Sequence, residues 1–343
     1  GAEASASRDA AIAAATSAAD AIYVEPGTYE TTTQWGPQLK ARLFGMGQTR
    51  DEVVIKPTVD GHRALRMAAD SWIENATIEG NPASVDRGGA VEMTGGTVTN
   101  CVVRNGTAFG KDRNAGGNIY SSAVGSLIVD CVISGGRARG RGGNVCLDQG
   151  TIRNCTVTGG SSADGEQCNG GNVWTYQGRV ENCTIASGSA DLGGNVFLYN
   201  AAATVSGGTI SGGTASQSGG NVYLQAGSLT GAVLTGGRTT SNSNSQGGGN
   251  VYVTGNATVA GCEISDGRAL NRGANVFLLE GEVSDCTIAG GVVEENASGL
   301  GGNVFMNHAS AHVMDCEIRG GSAAARGGNV FMLAGKVADT KIS

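Results

Sequence analysis

Residues 193–198 read Gly193-Gly194-Asn195-Val196-Phe197-Leu198, and residues 219–224 read Gly219-Gly220-Asn221-Val222-Tyr223-Leu224. This signature runs through the chain, with asparagines at Asn118, Asn144, Asn172, Asn195, Asn221, Asn250, Asn275, Asn303 and Asn329. An earlier copy, Gly88-Gly89-Ala90-Val91, carries alanine in the asparagine place. From Ala90 onward the spacings are 28, 26, 28, 23, 26, 29, 25, 28 and 26 residues. A period near 26 that tolerates a few residues of slack is too irregular for stacked helical hairpins. It reads as a β-solenoid whose turns accept insertions.

A second element lies inside each period, as in Arg179-Val180-Glu181-Asn182-Cys183-Thr184-Ile185 and Glu282-Val283-Ser284-Asp285-Cys286-Thr287-Ile288. Alternation of apolar and polar residues is a strand signal. Stacking the copies gives two columns free of charge, Val98 to Val337 and Val103 to Ile342, which therefore face a core. The column before the cysteine reads Asn100, Asp130, Asn154, Asn182, Gly207, Gly231, Gly261, Asp285, Asp315, Asp339. Asn, Asp and Gly share a tolerance for left-handed backbone angles, so this column is expected to be a corner between two short strands. The expected fold is all-β: one right-handed parallel β-helix of about twelve coils, three short strands per coil, stacked at about 4.8 Å. The expected organisation is one domain over 1–343. A capping helix covers 1–21, irregular first coils 22–85 and regular repeats 86–343.

Composition agrees. Of 343 residues 59 are glycine, while charged residues make up 15% and apolar residues 40%. That apolar share is too large for a disordered low-complexity chain. No apolar run reaches the roughly 20 residues of a membrane span. A net charge of −7 disfavours a nucleic-acid backbone as partner.

Residues 8–20 are alanine-rich and favour helix, suited to covering the open strand edges of the first coil. Then follow Ala21-Ile22-Tyr23-Val24-Glu25-Pro26-Gly27-Thr28-Tyr29, Leu43-Phe44-Gly45-Met46-Gly47 and Val53-Val54-Ile55. This opening resembles right-handed parallel β-helix proteins of the pectate lyase-like superfamily. The glycine-rich repeats resemble those of polymorphic outer-membrane and autotransporter-type adhesins, which usually carry Gly-Gly-Ala-Ile, so the asparagine is a departure. Together the two resemblances imply an extracellular or bacterial cell-surface protein. The chain reads as a piece of a longer one.

Most notable residues have a structural explanation in their column. Seven of nine cysteines share one column, with Gly208, Ala232 and Thr340 replacing them in other coils, as expected of buried free thiols at a tight site. Cys146 and Cys168 lie outside it, and a bond between them is an alternative. The asparagines are expected to form an amide ladder between coils. The corner aspartates are exchanged for glycine in three coils, which a repeated catalytic or calcium-binding acid would not allow. His308 and His312 flank a turn without a paired carboxylate. No metal, cofactor or catalytic residue is assigned.

Two features remain as candidate binding residues. The column after valine contains Tyr120, Trp174, Phe197, Tyr223, Tyr252, Phe277, Phe305 and Phe331, with Glu92 and Cys146 at its start. If valine points inward, alternation sends the rings outward, where Trp174, Phe197, Tyr223, Tyr252 and Phe277 would form an exposed stripe for sugars or a partner. Glu92 in the same column favours that orientation. The competing arrangement puts the rings in the core and valine under a loop. Arg137, Arg139 and Arg141 form the densest basic cluster. Two functions follow: a non-catalytic surface module binding a glycan or a partner surface, or a polysaccharide lyase or hydrolase as the superfamily resemblance implies. The second needs acids and a base on outward positions of adjacent coils, and none stands out.

Overall fold

The computed structural model describes residues 12, 15–32, 38–82, 85–110, 115–165, 168–294 and 299–343. The expected capping helix falls largely outside them. Of its described part, Ile12 is buried and Ala15 packs against the core. The Asp20 carboxylate accepts the Thr16 and Ser17 backbone N–H groups.

The described chain winds as a right-handed parallel β-solenoid of about twelve turns. One coil shows the plan: Val196–Leu198, Thr204–Ser206, Thr209–Ser211 and Thr214–Ser218. Each strand pairs in parallel with its counterpart one coil on, Val196 with Val222, Val205 with Leu229, Ile210 with Leu234 and Ala215 with Thr239. The third strands form a 13-stranded sheet and the fourth a nine-stranded one. Three strands per coil were expected and four are found. The fourth is only two residues long in most coils, as at Arg137–Ala138 and Arg268–Ala269, too short to show an alternation. In the last two coils the first and second strands merge into Val304–Met314 and Val330–Ala338.

The corner column behaves as its residue types require. Asn100, Asp130, Asn154, Asn182, Asp285, Asp315 and Asp339 have φ between 46° and 54°, and Gly207, Gly231 and Gly261 between 60° and 63°. The Gly-Gly pair has two separate causes. Gly193 sits at φ 62°, while a Cβ on Gly194 would lie 2.2 Å from the Gly220 carbonyl oxygen of the next coil. In one coil Ala274 takes that second place, and its methyl packs with Ala269 and Val293.

The asparagines form the expected ladder. Each Nδ2 donates to the Oδ1 of the next, from Asn118 to Asn144, Asn172, Asn195, Asn221, Asn250, Asn275, Asn303 and Asn329, at 2.7–2.8 Å. Each Oδ1 also accepts a glycine N–H of its own coil, as Asn195 does from Gly188 at 2.8 Å. All but Asn329 are fully buried, so these bonds satisfy amide groups that water cannot reach.

The interior is filled by the valine column, the two second-element columns and the cysteines. All nine cysteines are unpaired and buried, Cys146 and Cys168 included. The column thiols donate to the carbonyl two residues earlier, Cys101 to Thr99 at 3.1 Å and Cys286 to Ser284 at 3.0 Å.

Candidate functional site

In the first strand of each coil valine faces the interior, so the following residue points out of the solenoid. Tyr120, Cys146, Trp174 and Phe197 form one cluster, and Tyr252, Phe277 and Phe305 another, both separate from the main core and bridged by Tyr223. Neighbouring rings follow the strand spacing: 5.0 Å for Phe197–Tyr223 and 4.8 Å for Tyr223–Tyr252 and Tyr252–Phe277.

The expected exposed stripe is corrected here. Trp174 is 2% exposed, Phe197 1%, Tyr252 6% and Phe277 0%, and Tyr223 is half-buried. The rings leave the interior, yet the chain entering each first strand folds over them through Ala115, Leu192 and Leu300. Glu92 is also buried at the head of the column, where it pairs with Arg63, Arg66 and Arg87. Its presence in the column was therefore no sign of solvent.

The arginines are divided. Arg141 lays its guanidinium over Trp174, 4.7 Å from the ring centroid. Arg137 and Arg139 lie exposed on the sheet of fourth strands, 5.6 and 5.7 Å from the Phe109 ring. The three do not converge on one site. Arg272 over Phe305 repeats the capping seen at Arg141.

Two residues beyond the buried rings, alternation brings a second outward position, occupied by Asp148, Tyr176, Tyr199, Gln225 and Thr254 on consecutive coils. Tyr176 and Tyr199 are 37% and 40% exposed, 5.6 Å apart between centroids, and Tyr199 also leans on Trp174 at 5.8 Å. The stack continues inward, because the buried rings hold the exposed ones in place. Beside Tyr199 a cleft of about 330 Å³ opens across three coils. Tyr199, Gln225, Asn169, Asp191 and Gln217 line it, together with the buried Phe197. Tyr223, next in the ring column, has its phenol pushed up to about 12 by burial, so it stays a neutral hydroxyl. The Trp174 indole N–H is buried without a partner. Neither Tyr176, Tyr199 nor Phe109 stood out in the sequence. The signal was there: aromatics at i and i+2 in two consecutive coils.

Among the described residues no three His, Cys, Asp or Glu side chains gather around a point that could hold a metal ion. His308 lies 3.8 Å from Glu280. No described helix is long and apolar enough to cross a membrane.

No protein-family model and no curated protein matches the chain. Solved structures do. The chain is similar to the Azotobacter vinelandii mannuronan C-5 epimerase AlgE6 A-module, with a TM-score of 0.53 and 17% identity over 99% of this chain and 94% of that one. It is also similar to the Dettilon tailspike protein, with a TM-score of 0.44 and 14% identity over 98% of this chain and 64% of that one. A tailspike of the E. coli bacteriophage HK620, in complex with a pentasaccharide, gives 0.44 and 12% over 98% and 74%. At such identities the likeness concerns the fold alone, a right-handed parallel β-solenoid.

Proposed function

We propose that the chain is a non-catalytic extracellular β-helix that binds a glycan along the outer face of its first-strand sheet, in the manner of a surface adhesin. The observation that carries this reading is the cleft at Tyr199. Exposed rings held by a buried stack offer an apolar face for the C–H side of a sugar. Asn169, Gln217 and Gln225 supply paired amide donors and acceptors for its hydroxyls, and Asp191 two acceptor oxygens. Its size falls in the usual range for small-ligand sites, about 300–1,000 Å³. The similar epimerase module is named for mannuronan, which makes glycans the first ligands to try.

The non-catalytic part of the proposal rests on where the acids are. The repeated aspartates turn corners, and Glu92 is held by three guanidiniums. Acid–base chemistry needs ionisable groups within reach of one bond, and among the described residues the cleft walls carry a single carboxylate, Asp191.

The test is a glycan array followed by calorimetry on the best binder. Tyr199→Ala and Tyr176→Ala should each weaken binding about tenfold, some 1.4 kcal/mol, with the thermal midpoint little changed because both rings are partly exposed. Binding indifferent to both changes would remove the cleft from consideration. New reducing or unsaturated ends in polysaccharide incubated with the protein would overturn the non-catalytic reading.

A further inference from the structure

The charges around the cleft narrow the ligand class, given the glycan reading above. Among the described residues Asp191 is the one ionised side chain on its walls, and no Arg or Lys lines it. The nearby guanidiniums are engaged elsewhere. Arg141 pairs with the cleft residue Asn169 one coil away in the bridge row Arg141–Asn169–Leu192, but its guanidinium lies flat on Trp174 and does not line the cleft. The Arg63, Arg66 and Arg87 cluster around Glu92 is four coils away in the ring column, from Glu92 through Tyr120, Cys146 and Trp174 to Phe197. At about 4.8 Å per coil that is roughly 19 Å, beyond a Debye length of about 8 Å at physiological salt.

We propose that the cleft selects uncharged glycan chains and rejects uronates. The chemistry of Asp191 gives the reason. Its carboxylate accepts hydrogen bonds only, and within the fold it already takes one from the Ser216 hydroxyl. A neutral sugar presents vicinal hydroxyls that donate to its free lone pairs. A uronate carboxylate in the same place donates nothing, leaves those lone pairs unpaired and adds a like charge. Amide side chains on the remaining walls read hydroxyls equally well in either ligand, so the discrimination falls on Asp191. The whole chain, at net charge −7, adds repulsion in the same direction at low salt.

The experiment uses fluorescently labelled cellohexaose, maltohexaose, mannohexaose and hexagalacturonate, titrated by anisotropy at low salt and at about 0.3 M salt. Expected is binding of at least one neutral hexaose, lost at least tenfold in Tyr199→Ala and insensitive to salt. Hexagalacturonate should bind at least tenfold more weakly, with the gap narrowing in high salt and in Asp191→Asn. Hexagalacturonate binding as tightly as the best neutral hexaose at low salt, and through Tyr199, would overturn the selectivity while leaving the glycan reading intact. Absence of binding by all four, or binding unaffected by Tyr199→Ala, would overturn both.

Discussion

Replacing Asn195 by alanine tests the ladder that ties the coils together. Asn195 makes four hydrogen bonds in a fully buried position: its Oδ1 accepts from Asn172 Nδ2 at 2.7 Å and Gly188 N–H at 2.8 Å. Its Nδ2 donates to the Ser211 carbonyl and Asn221 Oδ1, both at 2.8 Å. The acceptors keep other donors, since Ser187 N–H reaches the Ser211 carbonyl and Gly213 N–H reaches Asn221 Oδ1. The donors fare worse. Gly188 N–H loses its acceptor, and Asn172 Nδ2 keeps only its bond to the Ala186 carbonyl. Two orphaned buried donors at about 1–3 kcal/mol each give a loss of roughly 2–6 kcal/mol, the lower end applying if water enters the space left by the carboxamide.

In a solenoid each coil contacts only its neighbours, so the damage is local before it is global. Amide exchange at residues 186–196 and 211–222 should accelerate well ahead of exchange at residues 100–130, together with a fall in the urea midpoint. Asn195→Asp gives a signed companion result. Its carboxylate would retain the two donors but face the Ser211 and Asn221 oxygens, so its folded pKa would be raised above the unfolded value near 3.9. The variant should be most stable below about pH 4 and lose stability as the pH rises through that raised value. If Asn195→Ala costs no more than exposed Thr214→Ala, the ladder does not hold the coils and the reasoning fails.

At the corner, Asp285 sits at φ 52°. Asp285→Gly should be near neutral and Asp285→Val should cost roughly 1–2 kcal/mol in chemical denaturation; equal effects would refute the left-handed explanation. The buried thiols should resist labelling, because burial holds Cys131 and Cys146 well above the ordinary thiol range. Peptide mapping after brief alkylation at about pH 8 should find Cys168, which lines the cleft, modified first, and all nine cysteines should react after denaturation; rapid labelling of the column in the native state would contradict its burial. Glu92→Gln leaves three guanidiniums without their shared counter-charge and should cost about 3–5 kcal/mol. A neutral result in thermal unfolding would show that the cluster is solvated.

The solenoid was legible because its constraints repeat. A Cβ that would meet the next coil, a backbone angle that only Asn, Asp or Gly adopts readily and an amide that bonds its own copy each recur in nearly every regular coil, Ala274 and Ala90 being the exceptions. They therefore leave columns that one sequence displays in about ten copies. Alternation placed the valines and the rings on opposite faces but left open which of the two faces inward. What the sequence could not decide was the fate of those rings. Whether an outward side chain meets water depends on how the preceding turn folds back, and turn lengths vary from coil to coil. Trp174 and Phe197 are thus buried by Arg141 and Leu192, which share the position before the Gly-Gly pair, a column whose residue type changes from coil to coil. Glu92 misled for the same reason, since its three arginines come from positions 63, 66 and 87, brought together only by the winding. The cleft is likewise a tertiary product. Asn169, Asp191, Tyr199, Gln217 and Gln225 belong to three coils, and their columns change residue type along the stack, as Asp148, Tyr176, Tyr199, Gln225 and Thr254 do. Repetition determines the scaffold, while the site lies where the repeat is broken and only the folded stack brings the exceptions side by side.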